Sequence, residues 1–236
     1  MTLHDADAVR IEYSTEAGLV ARRAAYEHAT GPNAPAMVFD AIAEAGPRSY
    51  LEVGCGPGEL AARVAAELGA DVVAVDLSPR MVELARGRGV DARVGDVQAL
   101  PFEDGSFDCA VAAWMLYHVP DVPSALAELA RVLRPGGRLV AVTNRLGHLR
   151  ELRELLGLPP RLETTFSGDN GEALLRRHFA HVDVRDAGGA VTFPDRAAVL
   201  EYVRASRALF EGRDDVPDFD GPLIVTRSPV LFVATR

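Results

Sequence analysis

The chain has 236 residues, 48% of them hydrophobic, and a net charge of −9; this length and composition allow one domain with a sizeable core. All 25 basic residues are arginines, which excludes the lysine-dependent chemistry of P-loop and Schiff-base enzymes. The chain has no basic stripe, and no stretch approaches the roughly 18 consecutive apolar residues of a membrane span, so we expect neither a nucleic acid nor a membrane as partner.

The start of the chain and its cysteines both indicate a cytoplasmic protein. The first residues, MTLHDADAVRIEY, lack the apolar core of an export signal. Cys55 lies in a glycine-rich turn and Cys109 in an apolar run, which suggests reduced thiols rather than a disulfide framework. Because no paired cysteine or histidine spacing indicates a zinc site, we expect no metal.

The first 144 residues alternate between helical and strand patterns. Helices are predicted over 14–30, 33–45, 59–68, 79–87 and 123–133. Asn33 and Ser78 are the expected caps, Pro79 the first residue of its helix, and Gly46 a stop signal. Strands are predicted over 48–53, 71–75, 92–94, 107–112 and 138–143. This alternation indicates a parallel sheet.

After residue 144 the pattern becomes less regular. Helices are predicted over 145–156, 169–179 and 196–210, around the irregular stretch PPRLETTFSGDN. Strands are predicted over 182–185 and 229–235, with a short apolar run at 190–193. The acidic segment EGRDDVPDFDGP is expected to form a loop.

The most informative segment is LEVGCGPGEL, residues 51–60, in which an apolar strand runs into glycines at 54, 56 and 58 and a helix follows. Strand, glycine turn and helix together bring backbone close to a nucleotide-like ligand. Glycine suits such a turn because it tolerates a positive φ and has no Cβ to block the ligand. Glu59, which follows Gly58, breaks the G-x-G-x-x-G pattern of dinucleotide-binding proteins.

Three further segments follow in order. VVAVDLSP (72–79) ends a second strand at Asp76, eighteen residues after Gly58; GDVQALPFEDGSFD spans 95–108; ELARVLRPGGRLV (128–140) contains a helix, a Pro-Gly-Gly turn and a fifth strand. Together with acidic Glu52 and the glycine turn, they resemble the motifs of class I S-adenosylmethionine (SAM) dependent methyltransferases. The resemblance is to the small-molecule branch that includes ubiquinone/menaquinone-type enzymes, and it covers roughly residues 35–145.

The resemblance implies an α/β fold: a Rossmann-like sheet of seven mostly parallel strands with helices on both faces and an antiparallel last strand. It also implies a helical lid, formed by the N-terminus and the segment after strand five. We therefore divide a single globular domain into an N-terminal helical lid (1–46), a SAM-binding core (47–144), acceptor-side helices with strand six (145–212), and a loop with the final strand (213–236).

Residues at the carboxyl ends of the strands are the candidates for holding SAM, because open α/β sheets bind ligands there. Asp76 is expected to accept both ribose hydroxyls, since an ionised carboxylate is an acceptor with two oxygens. The resemblance implies that Asp96 and the Val97 backbone meet the adenine edge and that Leu77 lies against its face. Tyr26 would touch the cofactor's carboxylate. The complete candidate set is Tyr26, Glu52, Gly54, Cys55, Gly56, Gly58, Asp76, Leu77, Met81, Gly95, Asp96, Val97, Ala113, Trp114 and His118.

The acceptor-side candidates follow strands four and five. His118 is the candidate catalytic base, because a histidine with a pKa of about 6.5 can take an O–H or N–H proton; packing without proton transfer is its alternative role. Tyr117, Asn144 and His148 are the candidate substrate-binding residues, with packing or turn-capping as their alternatives. Methyl transfer mostly requires alignment and exclusion of water, so a base is needed only where the acceptor must lose a proton.

The leading hypothesis is a methyltransferase that uses SAM, releases S-adenosylhomocysteine and acts on a small molecule in secondary metabolism or quinone chemistry. Three other hypotheses remain: an NAD(P) oxidoreductase, a SAM-binding sensor or partner subunit without catalysis, and a protein or RNA methyltransferase. We expect a monomer or homodimer. Glu52 also has two interpretations, as a contact for the methionine amino group or as a support that bonds backbone N–H under the turn.

Overall fold

The computed structural model describes Tyr26 and residues 29–160, 164–206 and 209–236. The predicted helix over 14–30 lies almost entirely outside the described residues. The strands of the described part are β1 (Ser49–Val53), β2 (Asp71–Asp76), β3 (Asp91–Val94), β4 (Phe107–Ala113), β5 (Leu133–Asn144), β6 (His181–Asp186), β7 (Gly189–Phe193), β8 (Leu223–Arg227) and β9 (Pro229–Thr235).

Within the described residues, a central sheet contains seven strands in the order β3-β2-β1-β4-β5-β9-β6. Strands β1 to β5 pair in parallel. Strand β9 lies between β5 and β6 and is antiparallel to both. The predicted α/β, Rossmann-like sheet of seven mostly parallel strands with an antiparallel last strand is therefore confirmed.

The helices begin and end at residues that the sequence marks. They are α1 (Ala34–Ala45), α2 (Glu59–Leu68), α3 (Pro79–Gly87), α4 (Val122–Val132), α5 (Arg150–Leu155), α6 (Gly171–Leu175) and α7 (Arg196–Ala205). The Asn33 side chain accepts the Ala36 N–H at 3.0 Å, and the Ser78 hydroxyl accepts the Met81 N–H at 3.4 Å. These bonds satisfy donors that the first helical turn leaves unpaired. Gly46, with φ 56°, ends α1 as predicted.

Strand β1 is covered on both faces. Residues 50–53 are all buried, as expected for a parallel strand between two layers of helices. Leu51 and Val53 pack in the same cluster as Leu126 of α4, on one face of the sheet. Tyr50 packs on the other face with α1 and α2. The helices thus hold the carboxyl end of β1, where the glycine turn begins, in a fixed position.

A second cluster of apolar residues packs around the small β7–β8 sheet with α5 and α7. We call it the lid cluster; its buried members are Leu149, Leu152, Leu156, Leu158, Val191, Phe193, Val199, Tyr202, Val203, Phe210, Val216 and Val225. Strand β8 was not predicted, because its five residues are too few for a clear alternation and are stabilised by antiparallel pairing with β7.

Several predicted bounds in the second half were wrong. α5 begins only at Arg150, because the residues before it form turns that end at Leu149 with φ 58°, and Gly157 with φ 64° follows its end. The predicted helices over 169–179 and 196–210 are shorter, ending at Leu175 and Ala205. β5 is longer than predicted, because its first residue, Leu133, already pairs with Phe107 before a register shift.

No helix in the described ranges has the length and apolar character needed to cross a bilayer. The division of the chain at residues 46, 144 and 212 stays a prediction. The segment predicted as loop and final strand supplies one strand to each sheet, β8 to the small sheet and β9 to the central one.

Candidate functional site

Three glycines shape the turn after β1, and all three have a left-handed φ: 64° at Gly54, 53° at Gly56 and 79° at Gly58. A Cβ on Gly54 would lie 2.7 Å from the Cβ of Met115, and one on Gly58 would lie 2.6 Å from the Cβ of Ala85. A Cβ on Gly56 would meet no atom within 4 Å. Gly54 and Gly58 are therefore required by packing, whereas Gly56 borders open space that a ligand can enter.

We predict that Gly58→Ala lowers the free energy of unfolding by about 3 kcal/mol, because a left-handed φ costs an L-residue about 1–2 kcal/mol and overpacking against Ala85 adds to it. Gly56→Ala is the matched control and should lose only the backbone cost, about 1 kcal/mol. Urea unfolding measures both values. Equal losses in the two variants would show that the contact with Ala85 is unimportant.

Asp76 connects the ends of β1 and β2. Its Oδ2 accepts the Gly56 N–H at 2.8 Å, and its Oδ1 accepts the Ser78 N–H at 2.8 Å. Burial raises the pKa of this carboxyl group, while the backbone N–H donors oppose the rise. Each oxygen of a carboxylate can accept a second hydrogen bond, so Asp76 retains capacity for hydroxyl donors of a ligand.

Glu52 lies under the glycine turn and is 3% exposed. The Tyr50 hydroxyl donates to its Oε2 at 3.2 Å, and the Ala61 backbone N–H also bonds to it. Burial raises the pKa of the Glu52 carboxyl group to about 8. These contacts match the interpretation of Glu52 as a support beneath the turn, and a direct contact with a cofactor stays a prediction.

The predicted adenine-edge segment is attached to β2, because the Gly95 N–H donates to the Asp76 carbonyl at 3.0 Å. The exposed carboxylate of Asp96 accepts the Gln98 backbone N–H at 2.9 Å. Val97 is buried beside it. The structure therefore brings Gly95, Asp96 and Val97 to the same sheet edge as Asp76.

Three other candidates for cofactor contact differ in how far their side chains are exposed to solvent. Leu77 is half-buried at the end of β2. Met81 lies on the buried face of α3 and is only 1% exposed. Cys55 is buried within the glycine turn, and burial raises the pKa of its thiol. Contact of Met81 or Cys55 with a ligand stays a prediction.

The end of β4 lies between the glycine turn that follows β1 and the end of β5. After Ala113, Trp114 has φ 51°, and its N–H donates to the Val142 carbonyl at 2.9 Å. A short 3₁₀ helix (Leu116–His118) follows. The rings of Tyr117 and His118 are 4.4 Å apart between centroids, so the predicted base is next to a predicted substrate residue.

A cleft opens at the carboxyl ends of β4 and β5. It holds about 550 Å³ of empty space, including its open mouth. The structure brings all three predicted substrate residues into its lining. The lining residues are Tyr117, Thr143, Asn144, Arg145, Leu146, His148, Leu149, Arg153, Thr164, Phe166, Leu209 and Phe210.

Residues with a strained backbone lie in the lining of this cleft and beside it. Among the described residues, the non-glycine positions with positive φ are Trp114, Leu149 and Glu211. Leu149 lines the cleft, and Glu211 pairs with Arg153, which also lines it. Non-glycine residues in this conformation cost of order 1–3 kcal/mol each and cluster at functional sites. Their position supports the cleft as a functional region.

His148 joins a hydrogen-bonded group of side chains. Its Nδ1 accepts the Ser228 N–H at 3.1 Å, and its Nε2 lies 3.2 Å from the Tyr26 hydroxyl. That hydroxyl lies 3.0 Å from the Tyr202 hydroxyl. Because Nδ1 accepts a backbone N–H, the imidazole is neutral in this arrangement, with its proton on Nε2. Tyr26, predicted as a cofactor contact, thus lies beside the acceptor-side histidine; its contact with a cofactor stays a prediction.

Several residues of the site carry no recognisable signal in the sequence. Thr143 lies within β5 and was interpreted only as part of a strand. Arg153 and Phe210 lie on predicted helices, where an arginine suggests solvent and a phenylalanine suggests core packing. Tyr202 lies on the predicted helix 196–210, where a tyrosine suggests core packing, although its hydroxyl contacts Tyr26. Across the described ranges, no group of three or more His, Cys, Asp or Glu side chains could hold a metal ion.

Comparison with known proteins identifies the central segment. Residues 51–141 match the methyltransferase domain family. An uncharacterized methyltransferase of Mycobacterium bovis is 40% identical over 139 residues, which are 56% of this chain and 56% of that protein. The ubiquinone biosynthesis O-methyltransferase of Xanthomonas oryzae pv. oryzae is 42% identical over 123 residues, which are 49% of this chain and 51% of that protein. The chain thus spans about half the length of these curated relatives.

The fold is also that of known methyltransferase structures. The phosphoethanolamine N-methyltransferase 2 of Haemonchus contortus, in complex with phosphomonomethylethanolamine and S-adenosylhomocysteine, superposes with a TM-score of 0.63 at 18% identity. The superposition covers 100% of this chain and 60% of that chain. Sequence motifs, sheet order and the family match agree. Residues 51–141 therefore carry a methyltransferase domain, and the motifs and the sheet order around it are those of the class I, S-adenosylmethionine-dependent type.

Proposed function

We propose that the protein transfers a methyl group from SAM to a small-molecule acceptor. One observation carries this proposal: the glycine turn with Asp76 and the cleft with Asn144 and His148 lie at the same edge of the central sheet. Strand β4 lies between β1 and β5, so its end adjoins both. A cofactor on one side and an acceptor on the other would meet across the end of β4.

The residues of the turn suit an adenosine-containing ligand. Gly56 leaves open space where a Cβ would stand, and Asp76 is held between two backbone N–H donors. We assign the ribose hydroxyls to Asp76 and the adenine to Leu77, Asp96 and Val97. When bound, SAM supplies a methyl group that is already activated by its sulfonium sulfur. An acidic crevice suits this cation.

The residues of the chain would align the acceptor with the methyl group, exclude water from the site and remove a proton from the acceptor. Where the acceptor carries a proton, we assign its removal to His118, because the His118 ring lies against Tyr117, which lines the cleft. A histidine suits this role near neutral pH.

We further propose an acceptor from secondary metabolism or quinone-like biosynthesis; the relative named for ubiquinone biosynthesis supports this assignment. We also propose a cytoplasmic location and a monomer or homodimer that binds no nucleic acid. Both Cys55 and Cys109 are free and buried, which fits a reducing compartment. The net charge of −9 opposes contact with polyanions.

Incubation of the purified protein with methyl-labelled SAM and a small-molecule extract of the native cells tests the proposal. Label in the small-molecule fraction, together with release of S-adenosylhomocysteine, is the expected result, and mass spectrometry then identifies the acceptor. Label in protein or RNA would replace the proposal by macromolecular methylation. SAM binding without transfer to any fraction would favour a sensor, and failure to bind SAM would contradict the proposal altogether.

A further inference from the structure

The charge of the cleft lining indicates what kind of acceptor it takes; this inference rests on the proposed function. Arg153 is 8% exposed and lines the cleft. Its three nitrogens all have partners: Nε donates to the Pro159 carbonyl, Nη1 to the Leu209 carbonyl and Nη2 to the Glu211 carboxylate, at 2.9, 2.9 and 3.0 Å. The charge of Arg153 is therefore already compensated by the chain.

The second arginine of the lining is compensated as well. Arg145 lies 3.4 Å from the Asp186 carboxylate and 3.9 Å from that of Asp169, and its Nη1 donates to the Gly168 carbonyl at 3.2 Å. An anionic acceptor would have to compete with these carboxylates for the guanidinium. The described lining thus offers no uncompensated positive charge to a carboxylate or a phosphate.

A cationic acceptor finds no partner either, because none of the described residues that line the cleft is acidic. A charge that leaves water without a counter-ion is strongly disfavoured. The half-buried polar groups that remain are neutral: the Asn144 amide and the His148 imidazole, whose Nδ1 accepts the Ser228 N–H.

The remaining walls are apolar and partly aromatic. The half-buried ring of Tyr117 faces the cleft, whereas Phe166 and Phe210 are at most 1% exposed and support the wall from behind. Aromatic side chains favour planar apolar ligands through stacked or edge-to-face contacts. We infer that the cleft takes an uncharged aromatic acceptor with a hydroxyl group, which hydrogen-bonds to Asn144 and packs against the ring of Tyr117.

Three phenols that differ only in charge test this inference: 4-hydroxybenzamide (neutral), 4-hydroxybenzoate (anionic) and 4-hydroxybenzylamine (cationic). Calorimetry with S-adenosylhomocysteine present measures binding without turnover. We expect 4-hydroxybenzamide to bind on the order of tenfold more tightly than either charged phenol. Equal or tighter binding of a charged phenol, or no binding of any of the three, would overturn the inference.

Two variants test whether the ion pair between Arg153 and Glu211 contributes to this preference for an uncharged phenol. Glu211→Gln removes the carboxylate partner of Arg153 and should improve binding of 4-hydroxybenzoate relative to 4-hydroxybenzamide on the order of tenfold. Glu172→Gln, which breaks the exposed pair with Arg176 on α6, is the matched control and should change nothing. An unchanged preference in Glu211→Gln would also count against the inference. S-adenosylhomocysteine binding, titrated separately, shows whether the proposed function itself has failed.

Discussion

Replacing Asp76 by alanine is expected to weaken SAM binding by at least about 100-fold. Hydrogen bonds to a charged group contribute about 1.5–3 kcal/mol each, and loss of two ribose contacts corresponds to roughly 100-fold or more in Kd. The variant also removes the acceptor for the Gly56 and Ser78 N–H groups, so the turn itself loses order. Calorimetric titration with SAM measures the change.

Asp71→Ala provides the matched control, because Asp71 is exposed at the opposite end of the same strand. It should bind SAM as the wild type does. If Asp76→Ala proves too unstable to titrate, Asp76→Asn keeps the side-chain shape and one acceptor oxygen and should give an intermediate loss. Wild-type affinity in a folded Asp76→Ala protein would exclude this carboxylate from the cofactor site.

Glu52→Gln is expected to change how stability depends on pH. The pKa of Glu52 is about 8 in the folded protein, against 4.5 as its ordinary value. Between these values the folded state holds a proton that the unfolded state has released, so this group makes the wild type less stable as pH rises. Glutamine cannot ionise. The free energy of unfolding of the variant, relative to wild type, should therefore rise by about 4 kcal/mol from pH 4.5 to pH 9.

Urea unfolding at several pH values checks this result. Glu67→Gln on α2 is the control, because Glu67 is exposed and pairs with Arg63 on the same helix; an exposed pair contributes roughly 0–1 kcal/mol. If the free energies of unfolding of Glu52→Gln and wild type differ by a constant amount over this pH range, the buried carboxyl group does not hold its proton.

The first half of the fold could be predicted because its signals are local. The bounds of α2 and α3 match those expected from sequence, since Gly58 and Gly69 delimit one helix and Ser78 with Pro79 begins the other. The glycine turn could likewise be found from its local pattern, and Asp76 from the resemblance of its segment to the methyltransferase motifs. Each of these features depends on residues close together in the chain, so no knowledge of the tertiary structure was required.

The cleft could be predicted only in part. Asn144 is the last residue of β5 and His148 lies in the turn after it; both were candidates from sequence, because strand ends mark ligand sites in such sheets. Arg153 and Phe210 were not, since they reach the cleft only through the packing of the lid cluster. The Tyr26–His148 contact joins residues 122 positions apart, and no local pattern signals it. Strand β8 was missed for the same reason, because its partner β7 lies about thirty residues earlier.

The separate packing of the lid cluster has a consequence for how such proteins diversify. The segment shared with the methyltransferase family ends at residue 141, just before Thr143 and Asn144 enter the cleft. Most of the cleft lining comes from residues after that point, and Leu149 and Phe210 among them belong to the lid cluster. Under the proposed function, substitutions there would change the acceptor while the half that we assign to SAM keeps its architecture. A chain of this design can therefore acquire a new substrate without rebuilding its methyl-donor site.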